Sequence, residues 1–281
     1  MIRVVTESVA DLPSEVAQQW GIRTVPYLIT WDGTTYLDGV ELDPGRLYEA
    51  MHHGTQSVST GFPSAKAFED LYRQAADGAD GIVSIHISGD LSGGYAQAAQ
   101  TAAQLSGLPP IRAVDSRTIS MAQGYVALAA AKRAAQGGTL EEVAAAAEKA
   151  RDEVHFIAAV DTLEYLFRGG RLKRSTYLIG SALRIKPMIA TVEGKLQPVG
   201  RARNSGQAIK KVAALVEERA RGKTLHLTVV HAGNPEGAQA LLAAVKAVAE
   251  PVDGYMGQIT PALGAHGGPG LVAACMWAEG E

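Results

Sequence analysis

A chain of 281 residues is long for one compact core and comfortable for two domains of ordinary size, with a cleft between them. Hydrophobic residues make up 47%, charged residues 20%, and the formal net charge is −3, which lacks the basic excess of a nucleic-acid binder, so no nucleic-acid partner is expected. The start MIRVVTESVADLP has one arginine and then only a short apolar pair, and no later segment reaches the roughly 18 uncharged apolar residues of a membrane span, so a cytoplasmic protein without stable membrane insertion is expected.

Strand-like and helix-like segments alternate through the first half. IRVVT is a β-branched run, and SVADLPSEVAQQWG follows as a helix with Asp11 placed to cap it. An interruption comes next: IRTVPYLITW, Asp32-Gly33 and TTYLDG predict a hairpin, since Asp-Gly tolerates the positive φ angles of a tight turn. DPGRLYEAMHHG carries a cap at Asp43, proline at the first helical position and a terminating Gly54. PSAKAFEDLYRQAADG places Ala65, Phe68, Leu71, Tyr72 and Ala75 on one helical face. GIVSIHIS then predicts a buried strand, GYAQAAQTAAQLSG a helix, IRAVDS a strand and SMAQGYVALAAAKRAAQGG a long helix. Such a βαβα series favours a parallel sheet with helices on both faces.

Thr139 with Glu142 three residues on forms a capping box for TLEEVAAAAEKARDEV. After HFIAAVD the texture changes. LEYLFRGGRLKRSTYLIGSALRI predicts two short helices broken at Gly169-Gly170, and KPMIATVEGKLQPVG predicts a hairpin turning at Glu193-Gly194, which argues for an antiparallel sheet. Helix and strand alternate again to the closing strand in GGPGLVAACMW, whose Cys275 reads as a buried structural thiol. The chain therefore predicts an α/β fold with two domains. Residues 1–160 form a parallel-sheet domain, and residues 161–281 form a smaller α/β domain with a largely antiparallel sheet.

Ser92, in SGDLSGGYA, falls at the carboxyl end of a predicted parallel strand and at the start of the next helix, where open α/β sheets bind ligands. Free N–H groups there suit an anion, and Gly93 and Gly94 permit close backbone approach. Ser92 could equally serve only as a helix cap. Ser59 and Thr60 end an extended stretch, where a turn role is the default, and His266 lies in a glycine-dense loop, GAHGGPG, that would expose its ring to a cavity.

The order Ser92, Asp115 or Asp161, then His266 matches the α/β-hydrolase triad, but Asp90 stands where the nucleophile elbow needs glycine. No Walker loop, no G-x-G-x-x-G after the first strand, no paired catalytic carboxylates and no metal-ligand spacing are present.

TESVADLP at 6–13, VSTGFPS at 58–64, LSGGYAQA at 91–98, VDTLEYLFRGGRL at 160–172, IKPMIATVEGKLQPVGRAR at 185–203 and HGGPG at 266–270 together resemble the DegV family of bacterial fatty-acid-binding proteins. Two departures stand out: Glu7 replaces the family's usual Asp, and Gly61-Phe62 replaces the usual Ser-Gln.

The resemblance implies a carrier without catalytic apparatus or cofactor, the binding subunit of a fatty acid kinase. It would hold a long-chain fatty acid such as palmitate or stearate between its domains and present the carboxylate to a separate ATP-dependent kinase subunit. The acyl phosphate made there would feed phospholipid synthesis. Carried over to this chain, the carboxylate ligands are Thr60, Ser92, Gly93, His266 and Arg203, and the kinase-docking residues are Arg168 and Arg171 of the RGG loop. Four cations in RGGRLKRS suit an acidic or phosphate-bearing surface. A serine hydrolase of ester substrates using Ser92 and His266 stands as the alternative.

Overall fold

The computed structural model describes residues 1–54, 58–172 and 185–280. Its first sheet is built from β1 (Ile2–Glu7), β2 (Arg23–Val25), β6 (Gly81–His86) and β7 (Ile111–Asp115) in the order β2-β1-β6-β7, all parallel. β6 is buried along its whole length, as its uninterrupted apolar run requires of a strand covered on both faces. Helices α3 (Ala65–Ala75) and α4 (Gly94–Gln104) cover one face; Phe68, Leu71, Tyr72 and Ala75 of α3 point into it.

The second sheet has six strands in the order β10-β9-β8-β13-β11-β12. It comprises β8 (Val154–Ala159), β9 (Lys186–Val192), β10 (Lys195–Ala202), β11 (Thr224–His231), β12 (Asp253–Gln258) and β13 (Val272–Glu279). All its pairings are antiparallel except β11 with β12. The β9–β10 hairpin turns at Glu193 and Gly194, with φ of 49° and 81°, as the Glu-Gly pair predicts. Helices α8 (Ser205–Ala220) and α9 (Pro235–Lys246) cover the outer face.

Between the two sheets lie α5 (Ser120–Ala135) and α6 (Leu140–Glu153), which touch strands of both. This sandwiching explains why α5 is buried on every side from Ser120 to Ala131 rather than along one stripe. The capping box of Thr139 and Glu142 starts α6. β8, placed at the end of the first domain by the expected boundary at 160, is instead hydrogen-bonded to β9 and β13. By sheet membership β8 belongs with the second sheet.

A third, small sheet, β4-β3-β5, is made of β3 (Leu28–Trp31), β4 (Thr34–Leu37) and β5 (Val58–Gly61). Asp32 and Gly33 turn β3 into β4 as expected, and Asp43 caps α2 (Pro44–His52) by accepting from the Arg46 N–H. This sheet and α2 pack on α10 (Pro261–Gly267), which also touches α7 (Glu164–Arg168).

Two local expectations change. Asp11 does not cap α1 (Ser14–Gln19); its φ of 48° turns the side chain inward, where one oxygen accepts from the Ser120 hydroxyl and the other from the Thr260 N–H. His266 lies in the last turn of α10 rather than in a loop, since Pro261 starts a helix that runs until Gly268 takes a φ of 80°. The second short helix expected after Gly170 falls outside the described residues.

Candidate functional site

A cavity lies where the two sheets and α10 converge. Apolar side chains from both units form its wall, among them Ile87 and Ile119 of the first and Phe156, Ile189 and Leu196 of the second, and Leu166, Leu263 and Leu271 close it. Its polar groups gather at one end: Tyr27, Thr60, Ser92, Arg171 and His266. Two further clefts meet it there. One is bordered by Phe62, Asp90 and Gly93, the other by Tyr165 and Arg168, and both share Thr60 and Arg171 with the cavity.

Each polar group has a local reason for its position. Ser92 follows the turn after β6, where its N–H bonds back to Ser88 O at 3.1 Å, and its Oγ accepts from the Gly94 N–H at 3.3 Å as α4 begins. Gly93, not Ser92, is the N-cap of α4, and Ser92 lines the cavity just before it. The Ser92 hydroxyl also lies 2.9 Å from the Tyr27 hydroxyl. Thr60 reaches the cavity from β5, and its Oγ1 is 2.8 Å from His266 Nε2. Gly93 borders the outer cleft under the Phe62 ring.

Burial, helped by the Arg171 charge, pulls the His266 imidazole down to about 4, so the ring is neutral at neutral pH. Burial pushes the Tyr27 hydroxyl well above its usual range, reinforced by the nearby Glu7 carboxylate. Arg171 is partly buried and pulled downward by desolvation. Its Nε donates to Leu91 O at 3.1 Å and its Nη1 to Gly169 O at 2.6 Å, which fixes the guanidinium at the polar end of the cavity.

The arginines singled out from the sequence lie in different surroundings. Arg203, expected at the head group, is exposed at the end of β10, where its N–H bonds to Gln207, and it is not among the residues lining the cavity. Strand β10 delivers Leu196 to the cavity and then leaves it. Arg171, expected to dock a partner, lines the polar end of the cavity. Arg168 is exposed and pairs with Glu164 at 2.5 Å, one helical turn away. Lys173 and Arg174 of the basic run fall outside the described residues.

The hydrolase arrangement is not assembled. Ser92 bonds to Tyr27 and His266 to Thr60. Asp115 accepts from the Gly89 and Arg117 N–H groups, and Asp161 pairs with Lys186 at 2.6 Å. Among the described residues, no group of three or more His, Cys, Asp or Glu side chains could hold a metal ion. Tyr27 was invisible to sequence reasoning, because a tyrosine after a proline in a short connection carries no signal of its own.

The family described as "Uncharacterised protein, DegV family" matches residues 1–279. The chain belongs to the DegV family. A DegV domain-containing protein of Streptomyces coelicolor is 36% identical over 273 residues, covering 96% of each chain. Among solved structures, a DegV family protein from Thermus thermophilus, described by its fatty acid binding, superposes with a TM-score of 0.91 at 29% identity, covering 98% of this chain and 99% of that one. DegV of Bacillus subtilis, described as a fatty acid binding protein, superposes with a TM-score of 0.88 at 29% identity over 98% of both chains. The DegV architecture thus accounts for the parallel N-terminal sheet and the mostly antiparallel second sheet.

Proposed function

We propose that this DegV protein binds a long-chain fatty acid, of the size of palmitate or stearate, with its tail in the apolar cavity and its carboxylate at the polar end. The observation that carries this reading is the division of one cavity into a hydrocarbon-lined body and a single polar end bearing Thr60, Ser92, His266 and Arg171. A carboxylate leaving water needs its oxygens met by donors, and two hydroxyls, a guanidinium and the start of α4 near Gly93 supply them. A dozen buried methylenes contribute roughly 10 kcal/mol before ordering costs, so the tail supplies most of the affinity and the polar end sets the orientation. The fatty acid binding described for the Thermus and Bacillus proteins supports the same reading.

The bound carboxylate lies beside two clefts that open outward, an arrangement suited to presenting it to a separate ATP-dependent kinase. No phosphate-binding loop is present in the sequence, so phosphoryl transfer is assigned to that partner, with Arg168 on the approach face. The carrier would work in the cytoplasm, and its acyl phosphate product would supply phospholipid synthesis.

Extraction of the purified protein followed by mass spectrometry is expected to release a long-chain fatty acid, and the delipidated protein is expected to bind a fluorescent fatty acid that palmitate displaces. Absence of both would overturn the reading. Ser92→Ala is expected to weaken binding by about 1.5 to 3 kcal/mol through loss of one hydrogen bond to a charged group. Acyl phosphate should form only when protein, kinase and ATP are combined.

A further inference from the structure

The strands of the second sheet give the cavity a direction. β8 runs on into α7 and Arg171, and β13 starts at Val272, just past His266 and Leu271 of the cavity wall, so the adjoining ends of these two strands lie at the polar end. Every second side chain of each strand faces inward. Away from the polar end along this face, the register pairs Ala158 with Ala273, then Phe156 with Cys275, then Val154 with Trp277. The face therefore begins with two methyl groups, which leave room for a hydrocarbon chain, and meets its first ring at Phe156. Phe156 is 1% exposed and lines the cavity; among the described residues, the other ring side chains of the wall are Tyr27 and His266, both at the polar end.

The first unit ends the cavity at the same level. Ile119, a lining residue, directly precedes Ser120, whose Oγ lies 3.5 Å from Cys275 Sγ. Cys275 is the register partner of Phe156, so Ile119 and Phe156 reach this depth from opposite units. Beyond them the interior is filled. Tyr125 and Trp277 are buried with ring centroids 6.4 Å apart; the Tyr125 hydroxyl meets Thr228 Oγ1 at 2.9 Å, and Trp277 Nε1 donates to Glu153 at 2.9 Å. Among the described residues, neither Val154 nor Trp277 lines the cavity, nor does any residue of α5 or α6.

We propose that Phe156 sets the acyl length this protein accepts, its ring being the stop against which the methyl end of a saturated fatty acid rests. The inference rests on the fatty-acid reading and adds a specificity determinant to it. Each methylene that leaves water is worth about fourfold in affinity, so affinity climbs with chain length until the tail meets the ring. A longer chain gains nothing there. Its extra methylenes must either push into a packed interior or draw the carboxylate away from the polar end. Removing the ring joins its volume to the tail space, and a bulkier ring takes volume away. Wall residues beside the head group alter how tightly the ligand is gripped, not where its tail ends.

The test offers the delipidated protein an equimolar mixture of the even-numbered saturated acids from dodecanoate to docosanoate. The retained acids are quantified by extraction and mass spectrometry, with thermal melts recorded for every variant. Wild type should show retention that rises to one length and falls beyond it. Phe156→Ala should move that maximum longer by about two carbons or more. Phe156→Leu, which disturbs the packing less, should raise the ratio of the next longer acid to the wild-type optimum by about fourfold. Phe156→Trp should lower the same ratio. Leu263 lines the wall one helical turn before His266, so Leu263→Ala should weaken retention of every length and leave the maximum in place. An unchanged ratio in a folded Phe156→Leu protein, or a maximum that Leu263→Ala moves as far as Phe156→Ala does, overturns the gauge, as does wild-type retention that keeps rising to docosanoate. Wild type retaining none of the acids overturns the fatty-acid reading with it, whereas a wild-type maximum that the Phe156 variants leave untouched overturns the gauge alone.

Discussion

Thr60 Oγ1 and His266 Nε2 meet at 2.8 Å although 206 residues separate them in the chain. Two buried carboxylates bring this about by holding the start of α10: Asp11 accepts from the Thr260 N–H at 2.8 Å and Asp38 from the Ala262 N–H at 2.9 Å. The helix so anchored turns His266 toward β5, and Gly264 allows the Tyr48 ring to press against it.

His266 should remain neutral well below the usual histidine range. In the ligand-free protein its imidazole is expected to titrate near 4, held down by burial and by Arg171. Between there and the ordinary value of 6.5 the unfolded state binds a proton that the native state refuses, so stability falls as pH drops through this window. NMR titration of the ring checks the value. Addition of a fatty acid should raise it, because the carboxylate brings a negative charge beside the ring.

The two arginines of the RGG loop should separate cleanly. Arg171→Glu places an anion at the polar end of the cavity and breaks the bonds to Leu91 and Gly169, so lipid affinity should fall by about tenfold or more. Arg168→Glu lies on an exposed helix end and should leave lipid binding unchanged while slowing association with a kinase, with a weaker effect at high salt. Equal effects on lipid displacement from both variants would contradict this assignment.

Neighbouring glycines should respond differently. A Cβ at Gly93 would stand 2.7 Å from the Phe62 ring, which is 43% exposed and can swing aside, so Gly93→Ala should fold with little loss. A Cβ at Gly94 would strike the Tyr27 hydroxyl and come within 2.6 Å of Glu7 Oε1, both buried, so Gly94→Ala should cost about 1 to 3 kcal/mol and impair lipid binding. Chemical denaturation of the pair measures the contrast.

Asp11 should give stability an opposite slope. Burial pushes its carboxyl up to about 7 despite the hydrogen bonds from Ser120 and Thr260. Between the ordinary value of 3.8 and about 7 the native state holds a proton that the unfolded state has released, so this group's stabilisation is lost as pH rises through that window. Asp11→Asn removes the slope. The melting temperature of the variant relative to wild type should therefore rise between pH 5 and pH 8.

The element types and both hairpins were legible because their signals are local. Asp32-Gly33 and Glu193-Gly194 supply the positive φ that a tight turn demands, and Thr139 with Glu142 satisfies the start of its own helix. Asp11 shows the limit of such reading. A cap was expected within reach along the chain, but the side chain found Ser120 and Thr260, and nothing in its neighbours signals partners so distant.

By itself the sequence determined the alternation of strand and helix and the parallel character of the first sheet, through periodicity and turn chemistry, and the family, through motifs confined to short stretches; it left Thr60 and Ser92 open between turn or capping roles and the cavity they line. Only the tertiary structure decided which arginine reaches the cavity. Arg171 and Arg203 are both cations beside glycine or hydrogen-bonding neighbours, and their composition does not distinguish them. The packing of α7 against α10 carries one inward, where Leu91 and Gly169 accept its donors, while the departure of β10 from the cavity after Leu196 leaves the other in solvent. Burial is a property of the assembled layers, and it makes one of two chemically equivalent side chains part of the site.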